Sequence, residues 1–307
     1  MNRLFIISIL LCLVSSCREA EENSSPEDLA KSDSLALHVA VFPTLETLPL
    51  YYAERSGMMQ EADADIRLLH YDSMTDADTA ITRGHAQATF TDEARLLTLE
   101  QEKGMLATPI ASVPATLALF SHKEGKINRI EQLKEKLIGM ERHSHSDYWS
   151  DEILKGTDLT QLDIFHVQIG STSLRYNMMM NQLIDAAFLP EPYASLCDTA
   201  LAYTLWKQPE DANHWTVIAV PTSLHTDSLR SKQSQALLDL YEKARRRIIA
   251  RPDTALLHRI YREEYHIQER DLKRTHWYDW QPAPLDSCSS LSRQEARTWL
   301  IGRGKLK

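Results

Sequence analysis

Cysteine is scarce in this chain. Of the four in 307 residues, Cys12 and Cys17 fall in the N-terminal segment, and only Cys197 and Cys288 lie in the body. Two isolated thiols do not make a cysteine-rich metal or iron centre, and no Cys-x-x-Cys or His-Glu-x-x-His spacing occurs. They leave two states open, one disulfide or two free thiols, because sequence does not fix their separation. Positive charge is also short. Lys and Arg number 34 against 43 Asp and Glu, a net charge of -9, and no basic patch is visible to offset phosphate repulsion. A nucleic-acid role is therefore excluded. Beyond the N-terminal segment no stretch approaches ~18 uninterrupted apolar residues, so no later helix spans a bilayer. The Gly-x-Ser-x-Gly nucleophile elbow and the phosphate-binding loop are both missing.

What is present begins at the N-terminus. Met1-Asn2-Arg3 supplies a positive charge, and Leu4 to Val14 is almost wholly apolar. A basic start, a short apolar run and small residues read as a secretory signal over 1–16, too short to stay as a spanning helix. Val14-Ser15-Ser16-Cys17 resembles the lipobox of bacterial lipoproteins, which implies lipidation at Cys17. Cys12 is the weaker match because bulky Leu11 precedes it. Residues 17–36 are charged, serine-rich and poor in large apolar side chains, so they read as a flexible tether.

The remaining ~270 residues suit two medium domains. Leu37 to Phe42 reads as a strand, Pro43 to Leu48 as a loop, and Pro49 to Arg55 as a helix ending at Gly57. Ile66 to Tyr71 is a second strand, Thr75 to Thr82 a helix, Gln87 to Thr91 a third strand with Asp92 at its carboxyl end, and Glu93 to Lys103 a helix. Pro114 to His122 reads as one longer strand, after which the plan repeats. Leu137 to Met140 is a strand, Glu141 to Asp147 a loop and Tyr148 to Lys155 a helix; Phe165 to Ile169 and Asp185 to Leu189 are strands flanking a helix at Ser173 to Met180. "GHAQATFTDEARL" (84–96) lies over "QLIDAAFLPEPYASL" (182–196), with Phe90 over Phe188 and Glu93 over Glu191. Strands alternating with helices imply parallel-rich sheets, and in such sheets ligands bind beyond the carboxyl ends of strands. His214 to Pro221 is a further strand; with Pro114 to His122 it gives two connections between lobes, which suits a hinge. Residues from about Leu224 onward are helix-rich, and Arg245-Arg246-Arg247 reads as a solvated helix face.

"VFPTLETLPLYYAERSGMMQEADADIRLL" resembles the opening of type II periplasmic substrate-binding proteins, in the branch serving thiamine-pyrimidine, sulfonate and nitrate importers. "IEQLKEKLIGM" is similar to that family's entry into its second lobe, and Asp185-Ala186-Ala187 with Glu191-Pro192 to its "iDAa…eP" signature. The resemblance covers nearly the whole chain after the tether. It implies an α/β fold of two Rossmann-like lobes joined by hinge strands, with lobe 1 at 37–115 and 222–307 and lobe 2 at 116–221. Two departures stand out. The family's Gly before "iDAa" is Gln182 here, which puts the form of that turn in question, and the chain holds only 9 glycines.

A binding protein of this kind needs a cleft with a few placed polar groups and aromatic walls. Four loop positions converge on it in this reading: Thr44, Glu46 and Tyr51; Asp92; Ser144, His145, Tyr148 and Trp149; and Glu191. Each has a plainer alternative. Tyr51 and Trp149 suit core packing, Asp92 suits a helix cap and Glu191 an exposed turn. "MERHSHSDYWSDEIL" (140–154) suggests a metal through His143, His145 and Asp147, but a second reading is stronger. Ser144 with Asp147 matches a capping pattern, and a helix start there makes this loop a cleft wall. Three carboxylates facing the cleft favour an amino-pyrimidine or other donor-rich heterocycle over an anion, with Tyr148 or Trp149 stacked on its ring.

The resemblance implies a small-molecule ligand, an ABC permease partner in the inner membrane, a monomer, and a place on the periplasmic face of a bacterial membrane, with surface display open. It implies no cofactor, no metal and no catalysis. Relatives that synthesise the thiamine pyrimidine carry a dense cysteine cluster for iron, which Cys197 and Cys288 do not make. A ligand-sensing lipoprotein of the same fold is the other alternative.

Overall fold

The computed structural model describes residues 35–197, 200–225 and 227–306. Cys17, the expected lipidation site, and the signal and tether up to residue 34 lie outside the described residues. Residues 36–307 form one compact unit built on two five-stranded sheets.

The first sheet runs β2 (Ile66–His70), β1 (Leu37–Val41), β3 (Ala88–Asp92), β10 (Thr216–Pro221), β4 (Ala107–Ser112). The second runs β7 (Phe165–Gln168), β6 (Leu137–Met140), β8 (Ala186–Pro190), β5 (Leu117–His122), β9 (Ala202–Lys207). Each has three parallel strands and then an antiparallel one: β10 against β3 and β4, β5 against β8 and β9. The two sheets thus follow one plan, and β3 and β8, overlaid in the sequence, hold equivalent places. Both are buried at every position, as strands covered on two faces must be.

The connecting helices are α1 (Leu48–Arg55), α2 (Met74–Thr82), α3 (Glu93–Lys103), α4 (His145–Glu152) and α5 (Thr172–Met180), followed by α6 (Ser228–Ala250), α7 (Thr254–Glu263) and α8 (Ser290–Gly302). Their caps follow the sequence closely. Ser73, Asp92, Ser144, Ser171 and Asp227 each accept a backbone N–H of their helix's first turn. No helix of the described residues is long and apolar enough to cross a membrane.

Several boundaries differ from the sequence reading. Two strands were not expected, β4 (ATPIAS) and β9 (AYTLWK). Both are sheet edges, where a proline is tolerated and only part of the strand is buried, so neither carries a strong apolar run. β10 belongs to the first sheet, so the chain returns from the second sheet between β9 and β10, ahead of the expected boundary at residue 221. α4 starts at His145 instead of Tyr148, because Ser144 is already its N-cap. Gln182 takes the left-handed turn, with φ +58° beside +75° at Gly84, so the turn keeps its form and the side chain bears the cost. Cys197 and Cys288 are both free thiols, Cys197 buried and Cys288 exposed. Arg246 and Arg247 are exposed on α6, while Arg245 pairs with Glu242 at 2.9 Å.

α8 lies across helices of both sheets. Arg293 meets Glu93 at 2.7 Å and Glu100 at 2.5 Å on α3. Further along, Trp299 Nε1 donates to Asp151 Oδ2 at 2.7 Å and Arg303 Nη2 to Asp147 Oδ1 at 3.2 Å, both on α4.

Candidate functional site

A cavity of ≈ 70 Å³ lies between the two sheets, beyond the carboxyl ends of their parallel strands. Two walls make it. The crossing segments contribute Ala115, Leu117 and Thr216 between them.

The first-sheet wall carries Phe42, Thr44, Glu46, Phe90 and Asp92. The turn after β1 is held by its own hydroxyls: Thr47 Oγ1 donates to Phe42 O at 2.6 Å and Thr44 N–H to Thr47 Oγ1 at 3.3 Å. Tyr265 OH braces it from behind by donating to Thr44 O at 2.7 Å. The fixed turn leaves Glu46 buried at 6% exposure, and burial pushes its carboxyl up to about 7. Asp92 is 1% exposed and joins the two sheets. Its Oδ1 accepts Arg95 N–H at 2.9 Å, capping α3, and its Oδ2 accepts His145 N–H at 2.9 Å, at the start of α4. Burial raises it to about 7, against the pull of those two backbone bonds.

The second-sheet wall carries Glu141, Ser144, His145, Ser146, Gly170, Thr172 and Arg175. Ser144 Oγ and Ser146 Oγ both donate to Glu141 O, at 2.7 and 3.0 Å, which folds the loop after β6 tightly. His145 stacks on Trp215 with ring centroids 4.8 Å apart, and its Nε2 accepts Trp149 Nε1–H at 2.8 Å. An indole N–H only donates, so Nε2 is unprotonated and the neutral ring carries its proton on Nδ1. Burial pushes this histidine down to about 3, so it is neutral at physiological pH. Glu141 Oε1 accepts the Thr75 hydroxyl from α2 of the first sheet and Gln168 Nε2–H at 3.1 Å. Arg175 is buried; Nη1 donates to Ile169 O at 3.1 Å and Nη2 to Thr172 Oγ1 at 3.3 Å, while its Nε–H has no partner. Burial lowers its guanidinium to about 10.

Of the nine ligand-binding residues expected from sequence, five line this cavity: Thr44, Glu46, Asp92, Ser144 and His145. The other four do not. Tyr51 is on the second turn of α1 and packs edge-on against His70 and Tyr265. Because α4 begins three residues earlier than expected, Tyr148 and Trp149 sit inside the helix. Tyr148 donates to Glu295 Oε1 of α8 at 2.9 Å, and Trp149 packs on Trp206 while holding His145. Glu191 turns back on its own chain, where Oε2 accepts Ser195 N–H at 3.0 Å; only its carbonyl reaches across, accepting Leu45 N–H at 3.1 Å. The expected carboxylate set is therefore corrected: Glu191 is elsewhere, Glu141 lines the cavity in its place, and Asp92 is engaged by two backbone donors. Sequence reasoning missed Arg175 and Glu141. An arginine on the same face as Thr172, Tyr176 and Met179 of "TSLRYNMMM", at helical spacing, was the available signal for the first. His143 is not on the cavity, and no group of three or more His, Cys, Asp and Glu converges as a metal cage among the described residues.

A wider groove of ≈ 870 Å³ opens between α1, α6 and α7, lined by Arg55, Arg246, Arg247 and Arg259. It lies away from the strand ends and its arginines are exposed, so we place the candidate site in the smaller cavity with its buried polar groups.

A family model described as "NMT1/THI5 like" matches residues 44–202. No curated protein matches the chain. Among solved structures, the alkanesulfonate-binding protein SsuA of Xanthomonas axonopodis pv. citri, bound to MOPS, is similar at 13% identity and a TM-score of 0.71, over 89% of this chain and 94% of that one. The periplasmic nitrate-binding protein NrtA of Synechocystis PCC 6803 gives 12% identity and a TM-score of 0.70, over 89% and 82%. PhnD1 of Prochlorococcus marinus (MIT 9301), in complex with methylphosphonate, gives 11% identity and a TM-score of 0.60, over 88% and 99%. At such identities the likeness is one of fold, the two-sheet fold of type II periplasmic binding proteins.

Proposed function

Because the chain belongs to the NMT1/THI5-like family and carries the type II periplasmic binding protein fold, we propose that it is the substrate-binding component of an ABC importer. It captures a small organic ligand between two lobes and does no chemistry on it. The lobes we propose are the two sheets with their helices: lobe 1 from about 37–115 with the chain from β10 onward, and lobe 2 between them. The observation that carries the reading is the cavity itself. Buried polar groups from both sheets face one space, and Asp92 ties the walls together through His145 N–H. At ≈ 70 Å³ it is smaller than the roughly 300–1,000 Å³ of ligand pockets, so on this reading the cleft widens to take its ligand. Loading then requires the lobes to part.

The ligand class follows from Glu46. A carboxyl that titrates near neutrality accepts hydrogen bonds when ionised and both donates and accepts when protonated. The amine and ring nitrogen of a thiamine-precursor pyrimidine match that pair. With Tyr148 and Trp149 outside the cavity, Phe42 and Phe90 are the aromatic walls for such a ring. A sulfonate or nitrate-like anion is the second reading, favoured by the buried Arg175. We further propose a lipid anchor at Cys17, an extracytoplasmic location, a monomer, and a membrane permease as partner. Calorimetry with the aminopyrimidine alcohol against ethanesulfonate, with scattering to follow closure, tests the reading. Saturable binding with a fall in radius of gyration supports ligand capture, and tight binding of the sulfonate alone sinks the pyrimidine.

A further inference from the structure

The two walls differ in charge. Arg175 belongs to the second sheet and makes no salt bridge among the described residues. Its two bonds are to a neutral carbonyl and a hydroxyl, and its Nε–H donates to nothing. Glu141 is the carboxylate that acts on it electrostatically, but Glu141 Oε1 already serves Thr75, Gln168 and, at 4.0 Å, Arg95. A buried cation left this way has given up its hydration without a full counter-charge. Glu46 lies on the opposite wall and forms no salt bridge either among the described residues.

Simple one-ended ligands satisfy half of this. A bare anion at Arg175 meets Glu46, Asp92 and Glu141 around the same cavity. A bare base at Glu46 leaves Arg175 uncompensated. Arg95 is taken up by Asp78 at 2.7 Å and lies near Glu141, so it does not serve as the counter-charge of Glu46. A ligand with two ends of opposite charge answers Arg175 and Glu46 together.

We propose that the ligand is amphoteric, with a carboxylate or sulfonate on Arg175 and a protonated amine or equivalent N–H donor on Glu46. The inference rests on the ligand-capture reading and narrows it. An aminopyrimidine qualifies only if it also carries an oxyanion.

The test is a matched series on the full soluble chain, measured by calorimetry: β-alanine, 4-aminobutanoate and taurine against propionate, ethanesulfonate, ethylamine and the aminopyrimidine alcohol. At least one amphoteric probe is expected to bind 10-fold or more tighter than its one-ended analogues. Glu46→Gln should bring it down to the level of the matching anion, and Arg175→Gln to that of the matching amine. Arg175→Lys, which keeps the charge, should retain part of the affinity and controls for folding. Equal or tighter binding of a one-ended probe overturns the amphoteric assignment and leaves ligand capture standing. Failure of every amphoteric probe also overturns it. Failure of the whole series, with nothing co-purifying by mass spectrometry, removes the ligand-capture reading as well.

Discussion

The two sheets share one strand plan, yet only the second brings a cation to the cavity. The first contributes carboxyls, Glu46 and Asp92, both raised by burial to about 7. The second contributes a fixed cation, Arg175, a histidine held neutral, and one carboxylate, Glu141, tied to Thr75 and Gln168. A repeated architecture therefore fixes where the wall residues stand, and the local loop decides what each wall offers. The first wall responds to pH near neutrality through Glu46 and Asp92.

The sharpest way to break this pairing is to keep the walls apart. Gly170 packs so closely on the first sheet that a Cβ there would meet Ser73 Cβ at 2.9 Å and Ser73 Oγ at 3.1 Å. Gly170→Val should act as a wedge, leaving each sheet folded while lowering ligand affinity more than about 100-fold, or over ~2.7 kcal/mol. Scattering should show a larger radius of gyration, and an unchanged radius with unchanged affinity would refute the close approach. Next in size is Asp92→Ala, which removes a helix cap and the link to His145 N–H together. In urea unfolding at about pH 5, below the raised pKa of Asp92, a loss of about 2–3 kcal/mol is expected, and a loss below ~0.5 would show the link to be idle.

Glu46→Gln tests the titrating wall. The carboxyl rises from 4.5 unfolded to about 7 folded. The stability it contributes is complete below pH 4.5 and is lost as pH rises through 7. The variant should match the wild type near pH 4.5 and exceed it at pH 8 by up to about 3 kcal/mol. A difference that does not vary with pH would remove Glu46 as the titrating group. The smallest effect is expected from Trp149→Phe, which takes the donor from His145 Nε2. About 1 kcal/mol is at stake, and nitrogen NMR should show the single Nδ1–H tautomer giving way to a mixture. A wild-type ring already mixed would contradict the tautomer assignment.

Much of this cavity's lining is legible in the sequence. The repeated strand, loop and helix pattern located both walls, and Thr44, Glu46, Asp92, Ser144 and His145 follow from standing at strand ends and helix starts. What failed was side-chain direction. A helix start read three residues late turned Tyr148 and Trp149 from partners of α8 and His145 into imagined cleft residues. Glu191 stands in a loop beyond a strand's carboxyl end, which points to the cleft, but a carboxylate next to its own free backbone N–H groups is captured locally. Arg175 escaped because a charged residue in a helix is ordinarily assigned to solvent, and only the packing of α5 under the loop after β7 buries it. Edge strands β4 and β9 left little trace because an edge needs so little apolar surface.

The route of the chain sets an order of assembly. The second sheet is made of strands that all fall within 117–207, while the first stays incomplete until β10 arrives at 216–221. Joining β10 to β3 means closing a loop of more than a hundred residues, and its entropic cost falls sharply once the intervening segment is already compact. The inserted half thus works as its partner's folding jig. We expect pulsed hydrogen exchange to protect β5 to β9 before β10, and simultaneous protection would speak against that order. On this account, damage confined to the second sheet delays the first, while the reverse does not hold.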